Sequence, residues 1–202
     1  YAVAMGYITS ASGYASTAMG RETTASGSYS TAMGRLTTAS LSYSTAMGYS
    51  TTAGGNYSTA MGRNTTASGS HSVATGYETT ASGFASTAMG NATTASDFGS
   101  TIIGQYNSSG SSVTNSATLF NTANTAFVIG NGADTFNKSD AFKVMFNGDA
   151  YVSNTLYLGG TAINSTAAEL NILDGVTSTT AEINLLDGLT TVGSGILSSA
   201  TE

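Results

Sequence analysis

Side chains capable of acid–base, nucleophilic or metal chemistry are few in this sequence, and they are far apart. Residues 1–104 hold one histidine (His71), three arginines (Arg21, Arg35 and Arg63) and three acids (Glu22, Glu78 and Asp97). Hydrolytic or redox catalysis needs titratable groups gathered around one reacting atom, and no triad or metal set can be assembled from these. Cys is absent, which removes disulfides and thiolate ligands. We therefore expect no catalytic residue, no metal site and no cofactor. Binding chemistry is better represented. Tyr29, Tyr43 and Tyr57 recur in one column, with His71 as an aromatic substitute in it. Beside Arg21, Arg35 and Arg63 they could stack on sugars and hydrogen-bond the acidic groups of a glycan receptor. The plainer reading is that Tyr covers a corner and Arg is a solvated surface column. Glu169, Asp174, Glu182 and Asp187 could gather Ca²⁺ under threefold symmetry, but helix capping and Asp-Gly turn chemistry account for them without a metal.

These residues are placed by a repeat. Gly6, Gly20, Gly34, Gly48, Gly62, Gly76, Gly90 and Gly104 are spaced by fourteen without a slip, and the unit reads Y-S-T-A-M-G-R-x-T-T-A-S-G-S. Fourteen residues suit two short strands joined by tight corners, one coil of a β-solenoid. Ala, Ser, Thr and Gly make up 118 of the 202 residues. Leu, Ile, Val and Phe number 34, too few for a conventional core. With only 8% charged residues and no Pro, the chain lacks the signature of disorder. A thin, ordered coil is indicated.

Alternation in S-T-A-M-G puts Ser30, Ala32 and Gly34 on one face and Thr31 and Met33 on the other. In T-T-A-S, Thr37 and Ala39 share a face opposite Thr38 and Ser40. The small face should line the lumen, with corners at Gly34 and near Gly27. Met5, Met19, Met33, Met47, Met61 and Met89, with Ile103 ending the column, then form an outward stripe at about 4.8 Å per coil. Burying six Met is worth on the order of 10 kcal/mol gross. That favours a parallel homotrimer with this column at its seam. The alternative is an inverted coil with Met in the lumen.

Residues 105–124 are rich in Ser, Asn and Thr and read as a connector. Residues 125–160 supply larger apolar side chains; Phe142, Val144 and Phe146 alternate before Asn147-Gly148-Asp149, which predicts a small β-hairpin module. Residues 161–202 carry two T-A-x-E-L/I-N-x-L-D-G units. Thr166 with Glu169, and Thr179 with Glu182, have capping-box spacing, and Gly175 and Gly188 stand where a helix would stop. Each unit predicts short helical turns that need partner chains to persist.

The repeat over residues 1 to about 104 resembles the head repeats of YadA-like trimeric autotransporter adhesins. That resemblance implies a left-handed parallel β-roll assembled as a trimer, here with Met where the family usually has Ile or Val. The T-A-x-E-L/I-N-x-L-D-G units, following an A-F-x-V-x-x-N-G-D segment at Ala141–Asp149, resemble modules of bacteriophage tail fibres. Together they imply a structural, adhesive trimeric fibre on a virion that attaches to a bacterial surface receptor alongside other fibre or virion proteins. A bacterial surface adhesin is the alternative. Ice or crystal-surface binding by the outward column Thr24, Thr38, Thr52, Thr66, Thr80 and Thr94 is a second. The net charge of −6, with five basic residues, argues against nucleic acid. No run reaches eighteen apolar residues, so no helical membrane insertion is expected. The chain begins at Tyr1 in the middle of the pattern, as a fragment or processed product would.

Overall fold

The computed structural model describes residues 1–165 of the 202-residue chain, and among these there are strands and turns but no helix. The predicted helical turns from Thr166 onward and the carboxylates Glu169, Asp174, Glu182 and Asp187 lie outside the described residues. The chain divides into two units, Tyr1–Asn154 and Thr155–Glu202.

In the first unit every coil contributes one long and one short strand. They run β1 (Val3–Tyr7) and β2 (Ser10–Ala11), β3 (Thr17–Arg21) and β4 (Thr24–Ala25), β5 (Thr31–Arg35) and β6 (Thr38–Ala39), β7 (Thr45–Tyr49) and β8 (Thr52–Ala53). There follow β9 (Thr59–Arg63) and β10 (Thr66–Ala67), β11 (Val73–Tyr77) and β12 (Thr80–Ala81), β13 (Thr87–Asn91) and β14 (Thr94–Ala95), and β15 (Thr101–Gln105). Because every coil has the same length, each residue pairs in parallel with its own equivalent: Met33 with Met47, Gly34 with Gly48, Thr38 with Thr52. The long strands form one sheet and the short strands another.

Between the two sheets runs a lumen of small side chains. Ala18, Ala32, Ala46, Ala60, Ala74 and Ala88 line it from the long strands, and Ala25 through Ala95 line it from the short ones, all at 0% exposure. Ser30 and Thr37 complete each turn of the wall and are likewise buried. The methionines stand on the outer face, so the inverted coil is excluded. Ala contributes little transfer free energy, and cohesion in so thin a coil must rest largely on main-chain hydrogen bonds repeated at each turn.

The corners differ from the sequence expectation. Gly34 is not a lumen residue at a corner; it is exposed and sits inside β5 at φ 123°. A Cβ there would overlap the carbonyl oxygen of Gly48 in the next coil. Glycine is needed because the backbones of successive coils pass too closely at a φ that L-residues avoid. The left-handed corner residues are instead Leu36 (φ 56°) and Tyr29 (φ 59°) and their equivalents, among them Glu22, Ser50, Asn64 and His71. Each αL residue carries a strain of about 1 kcal/mol. Ladder bonds hold them: Leu36 N–H donates to Arg21 O at 2.9 Å and Tyr29 N–H to Tyr14 O at 2.7 Å. At the Gly27 corner, Leu41 shows that a Cβ is accommodated locally, yet one placed on Gly27 would strike the carbonyl of Leu41 itself.

Past β15 the long-strand sheet continues. Residues 106–124 make an excursion without strands, and β16 (Thr125–Asn131) then lays itself on β15 in parallel, Ile102 beside Val128 and Ile103 beside Ile129. The sheet ends with two antiparallel strands, β17 (Asp140–Met145) and β18 (Ala150–Val152), joined through Gly148 at φ 95°. The 125–154 segment is thus built onto the solenoid as the end of one eleven-stranded sheet. Ile102 and Val128 are the largest fully buried side chains, and they close the lumen where the alanine columns stop. In the second unit, β19 (Tyr157–Leu158) pairs antiparallel with β20 (Thr161–Ala162). Gly159 and Gly160 connect them, both at positive φ, as a two-residue primed turn requires.

One feature of the lumen is costly. The hydroxyls of Thr23, Thr37, Thr51, Thr65, Thr79 and Thr93 are buried without a hydrogen-bond partner among the described residues. A buried hydroxyl without a partner costs about 1–3 kcal/mol. Thr51→Val, which keeps the branched shape and removes the orphan, should raise stability by roughly 1 kcal/mol. Thermal denaturation of the variant checks this; a lowered midpoint would show that the hydroxyl is satisfied.

Candidate functional site

Neither a pocket nor a cluster of metal-ligating side chains occurs among the described residues. The features with chemical potential are columns on the outside of the coil, each fixed by the same in-register stacking.

The first column is apolar. Met5 faces Met19, Met33 faces Met47, Met61 faces Thr75, and Met89 faces Ile103 along the outer face of the long-strand sheet. Met33, Met47, Met61 and Ile103 are half-buried, whereas Met5, Met19 and Met89 are more open. Thr17, Thr31, Thr45 and their equivalents form a parallel half-buried column two residues away. The pair makes a flat strip of methyl, thioether and hydroxyl groups with no charge in it.

Tyr29, Tyr43 and Tyr57 do not sit beside the arginines. They lie at the corner that precedes the long strand, while Arg21, Arg35 and Arg63 lie at its far end. The arginines interleave instead with Tyr7, Tyr49 and Tyr77. Arg35 Cζ stands 5.5 Å from the Tyr49 ring centre, and Arg63 Cζ lies 5.8 Å from Tyr49 and 5.3 Å from Tyr77. Arg21 lies 5.6 Å from Tyr7 and makes an exposed 2.9 Å ion pair with Glu22, a contact worth little in water. The neighbouring Glu78 carboxylate, an acceptor for the phenol and a negative charge beside it, pushes the Tyr77 pKa up by favouring the protonated form. This corner is therefore a ladder of mixed cations and rings, in the order Tyr7, Arg21, Arg35, Tyr49, Arg63, Tyr77, visible in sequence only if the tyrosines are read as members of the arginine column.

At the opposite corner the rings form a spine. Tyr29 stacks on Tyr43 at 5.0 Å, Tyr43 on Tyr57 at 4.8 Å, and Tyr57 on His71 at 4.9 Å. His71 thus sits within the spine as one more ring. Where Ala15 and Ala85 replace the ring, the preceding residue supplies one, Tyr14 or Phe84. Phe84 stacks on Phe98, and edge contacts carry the spine through Phe120 to Phe146. Each aromatic pair is worth about 0.5–1.5 kcal/mol beyond its area. Tyr43→Ser breaks two stacks and should cost roughly 2 kcal/mol, whereas the exposed Arg35→Gln should cost under about 1 kcal/mol. Melting curves of the two variants decide whether these tyrosines are structural before any receptor assay is interpreted.

Polar side chains terminate the coil. The Asn107 side chain stands in for the next short strand: its Oδ1 accepts from Thr94 N–H at 2.8 Å and its Nδ2 donates to Thr94 O at 2.9 Å. Asp97, in the column that is usually glycine, is fully buried; Oδ1 accepts from Thr114 N–H at 2.6 Å and Oδ2 from Thr125 N–H at 2.8 Å. Asn124 and Asp140 bind the backbone amides of Asn115, Ser116, Ser108 and Ser109 in the same way. Asp97→Asn sets an NH₂ group against one of those amides and should cost roughly 2 kcal/mol. Amide exchange at Thr114 and Thr125 should accelerate with it, measurable by hydrogen exchange; unchanged protection would mean that the carboxylate is not what holds the excursion.

The architecture defines an all-β parallel solenoid of fourteen-residue coils around a small-residue lumen. Four consecutive segments, residues 1–23, 25–51, 53–79 and 81–105, each match the YadA head domain repeat (2 copies). They cover half of the chain, each spanning about two coils, and the chain belongs to this family. No curated protein matches the chain.

Proposed function

We propose that three copies of this chain associate in parallel through the column Met5, Met19, Met33, Met47, Met61, Met89 and Ile103, and that the assembly serves as a rigid adhesive segment of a bacteriophage tail fibre. The observation that carries the reading is the outward Met strip, running along the coil axis in a chain whose described residues offer no pocket. Each Met withdrawn from water contributes about 1.5–3 kcal/mol gross, and a strip parallel to the axis is met in register by another copy of the same strip. Membership of the YadA head family supports self-association, a fibre exposed at a surface, and a structural adhesive role in place of catalysis. Resemblance of the T-A-x-E-L/I-N-x-L-D-G units to tail-fibre modules favours the virion. The head family itself favours the bacterial surface as the second reading, and immunogold labelling of virions and cells separates the two.

Adhesion follows from repetition. A contact made once per coil on each of three copies multiplies weak binding to a receptor such as a glycan, provided that the spacing of sites permits simultaneous engagement. The arginine–tyrosine ladder is the exposed column suited to acidic sugars, since guanidinium groups pair with carboxylates and rings stack on sugar faces.

Sedimentation equilibrium of the full chain should give three times the monomer mass. Replacing Met33, Met47 and Met61 together by Glu should return it to the monomer with its β-sheet circular dichroism intact, because all three side chains face outward. A monomeric wild-type chain would overturn the reading.

A further inference from the structure

The apolar strip does not end with the repeats. Ile129 pairs with Ile103 on one side and Phe142 on the other, and Phe142 pairs with Val152. Directly opposed residues in a sheet point to the same face, so the Met column continues through Ile103, Ile129, Phe142 and Val152. The neighbouring Thr column continues in the same way through Phe127 and Val144. Phe127 and Phe142 meet diagonally with ring centres 6.3 Å apart, as two residues on one face must. None of these six side chains is fully buried; Ile129 is 36% exposed and Val152 44%. The alternating residues of β17 and β18 show the opposite character: Lys143 pairs with Tyr151 on the reverse face, its Nζ 4.2 Å from the ring centre.

We propose that this end of the sheet is the register-setting clamp of the self-association seam, and that its occupant is the same end of a second copy of this chain. The inference rests on the self-association reading above and extends it beyond the family's repeats. Three observations lead to it. A strip that holds Met in six of its first seven coils, Thr75 being the exception, changes little when one copy slides by one coil, about 4.8 Å, so the repeats alone leave the alignment of copies weakly specified. Ile, Phe and Val at β15–β18 occur once and make every slipped register worse. The footprint points the same way. Two columns together about 10 Å wide, over the seven steps between the eight long strands of the coils, give roughly 340 Å² at about 4.8 Å per step, well below the about 800 Å² per partner of a standard interface. Three further strands lengthen the strip to about 48 Å and add its bulkiest side chains. Finally, the face carries no charge for an oppositely charged partner to recognise, and it is continuous with the Met column strand by strand.

The test uses the full chain, which has no Cys of its own. Nitroxide labels on Val152→Cys should show strong dipolar coupling between copies, and labels on Tyr151→Cys, on the reverse face, weaker coupling. Ile129→Asp should raise the self-association midpoint by about tenfold or more, with Tyr151→Asp leaving it in place and circular dichroism reporting the fold of both. Trimers in which Ile129→Asp leaves the midpoint unchanged would confine the seam to the repeats and overturn the clamp while sparing the trimer. Trimers in which Val152 labels show no coupling would also overturn it. A wild-type chain monomeric at all concentrations removes the self-association reading and the clamp together.

Discussion

Every outward and inward feature of this molecule depends on one constraint: each coil has the same length as its neighbour, so main-chain hydrogen bonds set every residue on its own equivalent fourteen positions away. The ladder spaces coils by less than 5 Å, and a perimeter of fourteen residues leaves room for only small side chains between the sheets. Ala, Ser, Thr and Gly are the consequence, and they bury little apolar area. Cohesion must then be found elsewhere, in the ladder itself and in whatever stacks well at its spacing. Flat rings do, at 4.8 to 5.0 Å. Guanidinium groups over rings do so as well.

The faces of the coil were legible in the sequence because alternation in S-T-A-M-G follows from strand geometry alone. The corners were not. Gly34 reads as a turn residue, since glycine is the usual occupant of positive φ; its actual requirement is the close passage of Gly48 in the next coil, a tertiary fact. Leu36 and Tyr29 hold the αL corners although neither type favours them, because ladder hydrogen bonds leave the backbone no other path. Tyr29, Tyr43 and Tyr57 were visible as a column, but their distance from the arginines was not: a linear repeat does not reveal which of its ends lie on the same side of a closed coil.

Ending such a coil is a separate problem, since the last turn of a solenoid exposes an unpaired ladder. Here the two sheets end differently. The short-strand sheet stops against side-chain groups, Asn107 presenting an amide where the next backbone would have been. The long-strand sheet is carried on by β16 and reversed by β17 and β18. Asp97 joins the two solutions, its buried carboxylate taking one amide from the excursion and one from the first residue of β16. In sequence it looks like a tolerated replacement for glycine. Its role depends on partners seventeen and twenty-eight residues away, which no fourteen-residue comparison can show.

Departures from the repeat are informative in the same manner, because several are compensated within their own coil. Ala15 and Ala85 lose the ring that Tyr14 and Phe84 restore one position earlier. Thr75 interrupts the Met column in the coil where Val73 replaces the threonine beside it, so the outer strip keeps one apolar side chain at that strand. What each coil has to supply is a kind of group at a place on the surface, and adjacent or alternate positions can supply it. A spine of rings that only stiffened one coil would not need continuity through Phe98, Phe120 and Phe146 into the terminal strands. That continuity couples the repeats to the end of the sheet mechanically, so a load taken by β16–β18 is passed to the coils through stacked rings as well as through hydrogen bonds.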